Sequence, residues 1–242
     1  MFVRALTLLS VLFALAGLTQ ANDSTRTLPD SATAERSPKT PFRARGNEPG
    51  WMLEVSDAQL QLSLDYGARE LEATLPAPVV TDVTRVYQLP EQNLSIRISE
   101  YPCNDSMTGM PYPSTVVLEF EDRRLSGCGG EPHALLEGDE WTVRSLAGKP
   151  VPDGVSVTLR FLDDDRIAGS SGCNRFMGGY ALTGEGLSFG QIAGTMMACP
   201  APQMETEQRF LALLQAVNRF EITPDGGLLL ITTDEKRLSA ER

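Results

Sequence analysis

His133 is the only imidazole in a chain of 242 residues, and general acid–base and nucleophilic catalysis lean on that side chain more than on any other. It falls between Pro132 and Ala134, where two blocks of the chain meet, and reads as a surface linker residue. Ser170, Ser171 and Ser188 lack the G-x-S-x-G surroundings that would expose and activate a serine. The spacing therefore offers no acid–base or nucleophile pair, and no enzymatic activity is expected. The run Asp163-Asp164-Asp165 supplies carboxylates but not the alternating oxygen ligands, glycine turn and distal acid of a calcium loop, so it reads as a solvated hairpin turn. Met107 and Met110 form an M-x-x-M pair, and Met196-Met197 lie beside Cys199; thioethers grouped in this way can hold Cu(I). Strand alternation would put Met196 and Met197 on opposite faces, which favours core packing and gap filling over metal binding. No cofactor is expected.

Four cysteines, Cys103, Cys128, Cys173 and Cys199, remain to be placed. An even number in an exported protein reads as a disulfide framework, and no C-x-x-C pair is present to suggest zinc. Of the three possible pairings, only Cys103 with Cys128 and Cys173 with Cys199 keeps each bridge inside one block. Each closes a loop of about 25 residues, worth about 3 kcal/mol in the chain-entropy model. The loop after Cys173 then stands on a stapled frame, and its residues Asn174, Arg175 and Phe176 are the candidate binding residues.

Export itself is read from the first residues. Arg4 supplies a positive charge, residues 6–18 an apolar run shorter than the roughly 20 residues that span a bilayer, and Thr19-Gln20-Ala21 small residues at the outer positions. This is a secretory signal with cleavage expected after Ala21, leaving no transmembrane segment. Its removal makes a chain of net charge −11 one unit more negative. Such acidity repels phosphate backbones and excludes charge-driven nucleic-acid binding.

The elements that must position these groups are mostly short strands. Residues 22–41 are rich in Ser, Thr, Pro and charge and read as a flexible tether. Beyond them, GNEPGW (46–51) is a turn feeding a strand on Trp51, Leu53 and Val55, and further strands are expected over 60–64, 71–75, 83–89, 94–98 and 116–120. A second block has strands over 141–146, 155–162, from 167 onward, 221–222 and 228–232. Between them one amphipathic helix is expected over 202–220, its stripe on Met204, Phe210, Leu211, Leu214 and Val217, with Glu205, Glu207, Gln208 and Gln215 mostly elsewhere. The expected fold class is α+β, mostly antiparallel β, in two small domains. These are an all-β domain over 42–134 and a domain over 135–242, the latter an antiparallel sheet or partial barrel with the helix packed across it.

Several motifs of the second block occur in an order that resembles a known family. WTVRSLAGKP (141–150), GSSGCNRFMGGY (169–180), LSFGQIAGTMMAC (187–199), the helix and GGLLL (226–230) resemble the META/HslJ family over about residues 137–240. The resemblance implies a sheet-plus-helix module of exported bacterial proteins, associated with heat or antibiotic stress and without established enzymatic activity. The block before it resembles an uncharacterised exported domain that accompanies META-type modules. The expected function is a non-catalytic periplasmic protein of the envelope and stress response that binds a protein or another envelope component. The alternatives are soft-metal handling through Met107, Met110, Met196 and Met197, and inhibition of a cationic hydrolase such as lysozyme.

Overall fold

The computed structural model describes residues 41–242; the signal peptide expected over 1–21, its cleavage point and all but the last residue of the tether lie outside the described residues. The chain is mostly antiparallel β with two α-helices among the described residues.

The first sheet contains β1 (Phe42–Asn47), β2 (Gly50–Ser56), β3 (Gln59–Leu64), β4 (Arg69–Thr74), β5 (Val79–Thr81), β6 (Thr84–Leu89) and β7 (Leu94–Ser99). A small hairpin of its own follows, β8 (Cys103–Asn104) with β9 (Pro111–Tyr112), before β10 (Ser114–Phe120) and β11 (Arg123–Gly129) rejoin the sheet. The strand order is β4-β3-β2-β1-β11-β10-β7-β6-β5. In a flat sheet the edge strands β4 and β5 would stand about 38 Å apart, at about 4.8 Å per step. The chain joins them through residues 75–78, which reach at most about 18 Å. The sheet must curl, and it forms a half-barrel around Leu53, Leu62, Ile96, Val116 and Leu118. Alternation sends Trp51, Leu53, Leu60, Leu62 and Leu64 inward and Met52, Gln61 and Ser63 toward the outer face. Gly127 is required where β11 passes β1, because a Cβ there would overlap the Arg45 carbonyl and the Trp51 indole.

One turn of helix, α1 (His133–Leu136), leads into β12 (Trp141–Leu146), β13 (Lys149–Pro150), β14 (Val157–Leu162), β15 (Arg166–Ser171), β16 (Arg175–Thr183) and β17 (Gly186–Gly194). Then come α2 (Ala201–Ala216), β18 (Val217–Ile222), β19 (Leu228–Thr232) and β20 (Arg237–Glu241). The order β17-β16-β15-β14-β12-β20-β19-β18 brings its two ends side by side, with Gly186 directly against the Asn218 backbone. This is a nearly closed barrel, and α2 lies against β12, β15, β17 and β19.

The helix is shorter than its apolar spacing predicts. It ends at Ala216, and Val217 and Phe220 belong to β18, paired with Thr232 and Leu230. Spacings of three and four fit a helix, but the backbone partners offered by β19 override that local preference. The buried stripe is Thr206, Phe210, Leu213 and Leu214, turned slightly from the expected one, so that Glu207 lies at its edge and Met204 and Leu211 are half-buried.

Among the described residues no strand is shared between the two sheets and their interiors are separate buried clusters, but the β8–β9 hairpin and the outer face of β11 join the cluster of the second. Met110, Tyr112 and Cys128 belong to the same buried cluster as Trp141, Phe220 and Leu136. The β8–β9 hairpin approaches β18. The Trp141 indole N–H donates to the Leu136 carbonyl at 2.8 Å. Arg242 lies 4.2 Å over the Trp141 ring and donates to the Glu137 carbonyl at 2.6 Å.

Candidate functional site

Cys173 is bonded to Cys199 and Cys103 to Cys128, with Cα atoms 5.9 and 5.4 Å apart. The loop held by the first of these is organised by Glu207 of α2. One Glu207 carboxylate oxygen accepts the Ser171 hydroxyl and the Asn174 N–H (2.9 Å), and the other accepts the Asn174 side-chain amide (3.0 Å). Burial raises the Glu207 pKa, but these three hydrogen bonds outweigh it and hold the carboxyl below its ordinary value. Asn174 in turn accepts the Thr195 hydroxyl (2.8 Å) and the Met197 N–H (2.7 Å) on its carbonyl oxygen and donates to the Met197 carbonyl (3.3 Å).

The three residues singled out for binding are therefore placed differently from one another. Asn174 is buried with its side chain fully engaged by Glu207, Thr195 and Met197, Phe176 is buried 5.3 Å from the Phe210 ring, and Arg175 is exposed. Glu207, expected only as a polar residue off the helix's apolar stripe, has its partners more than thirty residues upstream, where no local pattern could signal them.

The methionines depart from the expectation of core packing. Among the described residues Met110 is the one buried methionine. Strand β17 stops at Gly194, and residues 195–200 form an irregular segment pinned by Asn174 rather than by a ladder. Met196 and Met197 therefore do not alternate across a sheet. They are 98% and 56% exposed, and Met177 on the adjoining strand β16 is 64% exposed. Met107 is exposed while Met110 is buried, so the M-x-x-M pair is split between two environments. Among the described residues no group of three or more His, Cys, Asp and Glu side chains is arranged to hold a metal.

His133 is not a free linker side chain. It opens α1, with Nε2 3.4 Å from Asp165 Oδ1 and its ring 6.0 Å from that of Tyr180. Asp165 lies in the β14–β15 turn, which matches the hairpin expected at 163–165. The Tyr180 hydroxyl is buried without a partner among the described residues. Burial, then the charges of Glu137, Asp165 and Asp163, push its phenol up to about 12, which keeps it protonated and unfit as a base. Removing a buried hydroxyl that bonds to nothing removes a desolvation penalty, so Tyr180→Phe is expected to raise stability by about 1 kcal/mol. A urea midpoint below that of the parent protein would contradict this account.

A cleft of about 530 Å³ opens on the outer face of β1–β4. Cross-strand register aligns Cys128, Arg45, Met52, Ser63 and Glu70 in one transverse row, with Arg43, Glu54 and Gln61 in the next. The Cys103–Cys128 bridge fixes the β8–β9 hairpin on this face, where Tyr112 forms a wall. Arg45 donates to the Tyr112 hydroxyl and lies 5.3 Å from the ring centroid. The hairpin owes its shape to buried Asp105, which accepts the Met107 and Thr108 N–H groups, the Thr108 hydroxyl and the Asn47 amide. Burial raises the Asp105 pKa and these bonds lower it further than burial raises it.

Fold and loop together define a small, disulfide-stapled β-barrel module covered by a single helix. More particularly, a family model for the META domain matches residues 134–242, the C-terminal half of the chain. This is not a known catalytic family, and it suggests a stress-associated or envelope-related role. The NMR structure of a protein from Burkholderia xenovorans is 30% identical over 45% of this chain and 84% of that chain, with a TM-score of 0.39. A second NMR structure is 26% identical over 46% and 94%, with a TM-score of 0.38. No curated protein matches the chain. Among the described residues no helix is long and apolar enough to cross a membrane.

Proposed function

We propose that this is a periplasmic protein of two domains, without a catalytic role, that supports the envelope under stress by binding a protein or another envelope component. The observation that carries this reading is the face around Arg175, Met177, Met196 and Met197. Three thioethers point outward there from a frame whose own polar groups are consumed by Glu207 and Asn174. Exposed apolar groups collected in one place mark interaction surfaces, and methionine adapts its shape to a partner. Arg175 beside them adds a donor fork suited to carboxylates.

Crosslinking in intact cells, followed by mass identification of the adduct, tests the reading. A discrete adduct is expected with the parent protein and is expected to disappear in both Met196→Glu and Arg175→Glu, each an exposed substitution that leaves folding intact. The same adduct recovered from both variants at parental yield would move binding away from this face.

A further inference from the structure

We propose that the cleft on the outer face of β1–β4 binds a short zwitterionic peptide, with its carboxylate at Arg45 and its ammonium group at Glu70. Arg45 and Glu70, on β1 and β4 in the same transverse row, carry opposite charges that the protein does not itself pair. Among the described residues no carboxylate lies within ion-pair reach of Arg45, whose one side-chain hydrogen bond is to Tyr112, a neutral group. Glu70 accepts the Ser63 hydroxyl at 2.8 Å and has no cationic partner among the described residues. The neighbouring arginine is already matched: Arg43 donates to Glu54 at 2.8 Å and also feels Glu131 on the rim. A ligand complementary to this row is negative at one end and positive at the other.

Length and surface chemistry narrow the class. Three strand-to-strand steps separate Arg45 from Glu70, about 14 Å, and an extended peptide covers that distance in about four residues. The volume of about 530 Å³ lies in the range of small-ligand sites. Between the charged ends, Met52 is exposed as an apolar floor, and Ser63 and Gln61 offer groups that bond peptide amides. Tyr112, itself buried, walls the carboxylate end, and its ring and hydroxyl keep the Arg45 guanidinium in place. A guanidinium fixed in this way has its remaining N–H donors available to grip a carboxylate in the planar, two-point manner that arginine favours.

This surface is separate from the methionine face, so either proposal can fail without the other. The probe is tetra-alanine with free termini, titrated calorimetrically into the purified protein. Saturable binding is expected. Amidating the peptide C-terminus or introducing Arg45→Gln is expected to weaken it about tenfold, and amidation is expected to have little further effect in the Arg45→Gln protein. N-acetylation and Glu70→Gln form the matching pair at the other end. The modified peptides make the test on the unaltered protein, so a folding defect in a variant cannot imitate the result. Three results would overturn the proposal: no binding of tetra-alanine up to about 10 mM, equal affinity for the free and amidated peptides, or binding of the neutral disaccharide chitobiose where tetra-alanine fails.

Discussion

Glu207→Gln is expected to destabilise the barrel by about 2 to 3 kcal/mol, although the two side chains have nearly the same shape. All three groups that reach the carboxylate are donors: the Ser171 hydroxyl, the Asn174 N–H and the Asn174 side-chain amide. A glutamine has only one acceptor oxygen, so its NH2 must face a donor whichever way it turns. The effect should depend on pH in a defined direction. The folded Glu207 has a depressed pKa, so its contribution is present above the ordinary glutamate value near 4.5 and is lost as the pH falls through the lower folded value. Urea unfolding of the two proteins should therefore differ most near neutrality and converge in acid. A difference that stays constant from pH 7 to below pH 4 would mean that the charge of Glu207 is not what holds the loop.

A larger loss is expected for Leu214→Asp. Leu214 is fully buried on the face of α2 that meets the barrel, and an unpaired carboxylate in such a site costs several kcal/mol in addition to the lost apolar contact. That is comparable with the whole stability of a small domain. The variant is expected to melt at a much lower temperature or to fail to accumulate, whereas Gln215→Asp, one residue along on the exposed side, is expected to leave the melting temperature within a few degrees of the parent. Equal melting of the Leu214→Asp variant and the parent would contradict the placement of the helix. The measurement belongs on the longer chain, because Met110 and Tyr112 share the barrel's buried cluster and a fragment starting near residue 135 would lack them.

Much of the architecture was legible because burial on a single face imposes period-two alternation. Strands β3, β7, β10, β12 and β14 follow the expected segments to within a few residues, since each carries three or more inward apolar side chains. Strand β11 escaped that reading because its sequence, RRLSGCG, answers to close backbone packing beside Trp51 and Arg45 rather than to side-chain burial. Strand β16 escaped it for a related reason: Gly178 and Gly179 stand where larger residues would have marked an alternation. The end of α2 was obscured because Val217 and Phe220 satisfy both periods.

At the candidate site the stapled loop was legible through the cysteines and Asn174. The roles within it were not, because they depend on which side of a turn each residue faces. Asn174 and Phe176 face inward and Arg175 faces outward, a distinction set by Glu207 and Phe210 from a distant helix. The transverse row in the first sheet was invisible for a simpler reason. Arg45, Met52, Ser63 and Glu70 become neighbours only through strand register, and in the chain each is one polar or exposed position among many.

The β8–β9 hairpin is tied by Cys103–Cys128 to one half of the molecule and contributes Met110 and Tyr112 to the hydrophobic interior of the other. A recombination breakpoint drawn at the start of the META match, residue 134, would therefore separate the barrel from part of its own interior. A breakpoint moved upstream of residue 103 would keep the hairpin with the barrel but take β10 and β11 from their partners β7 and β1, so neither cut leaves both halves whole. Grafting the barrel alone onto a new neighbour would require that neighbour to replace Met110, Tyr112 and Cys128 at the same place, or the recipient seam would be left underpacked.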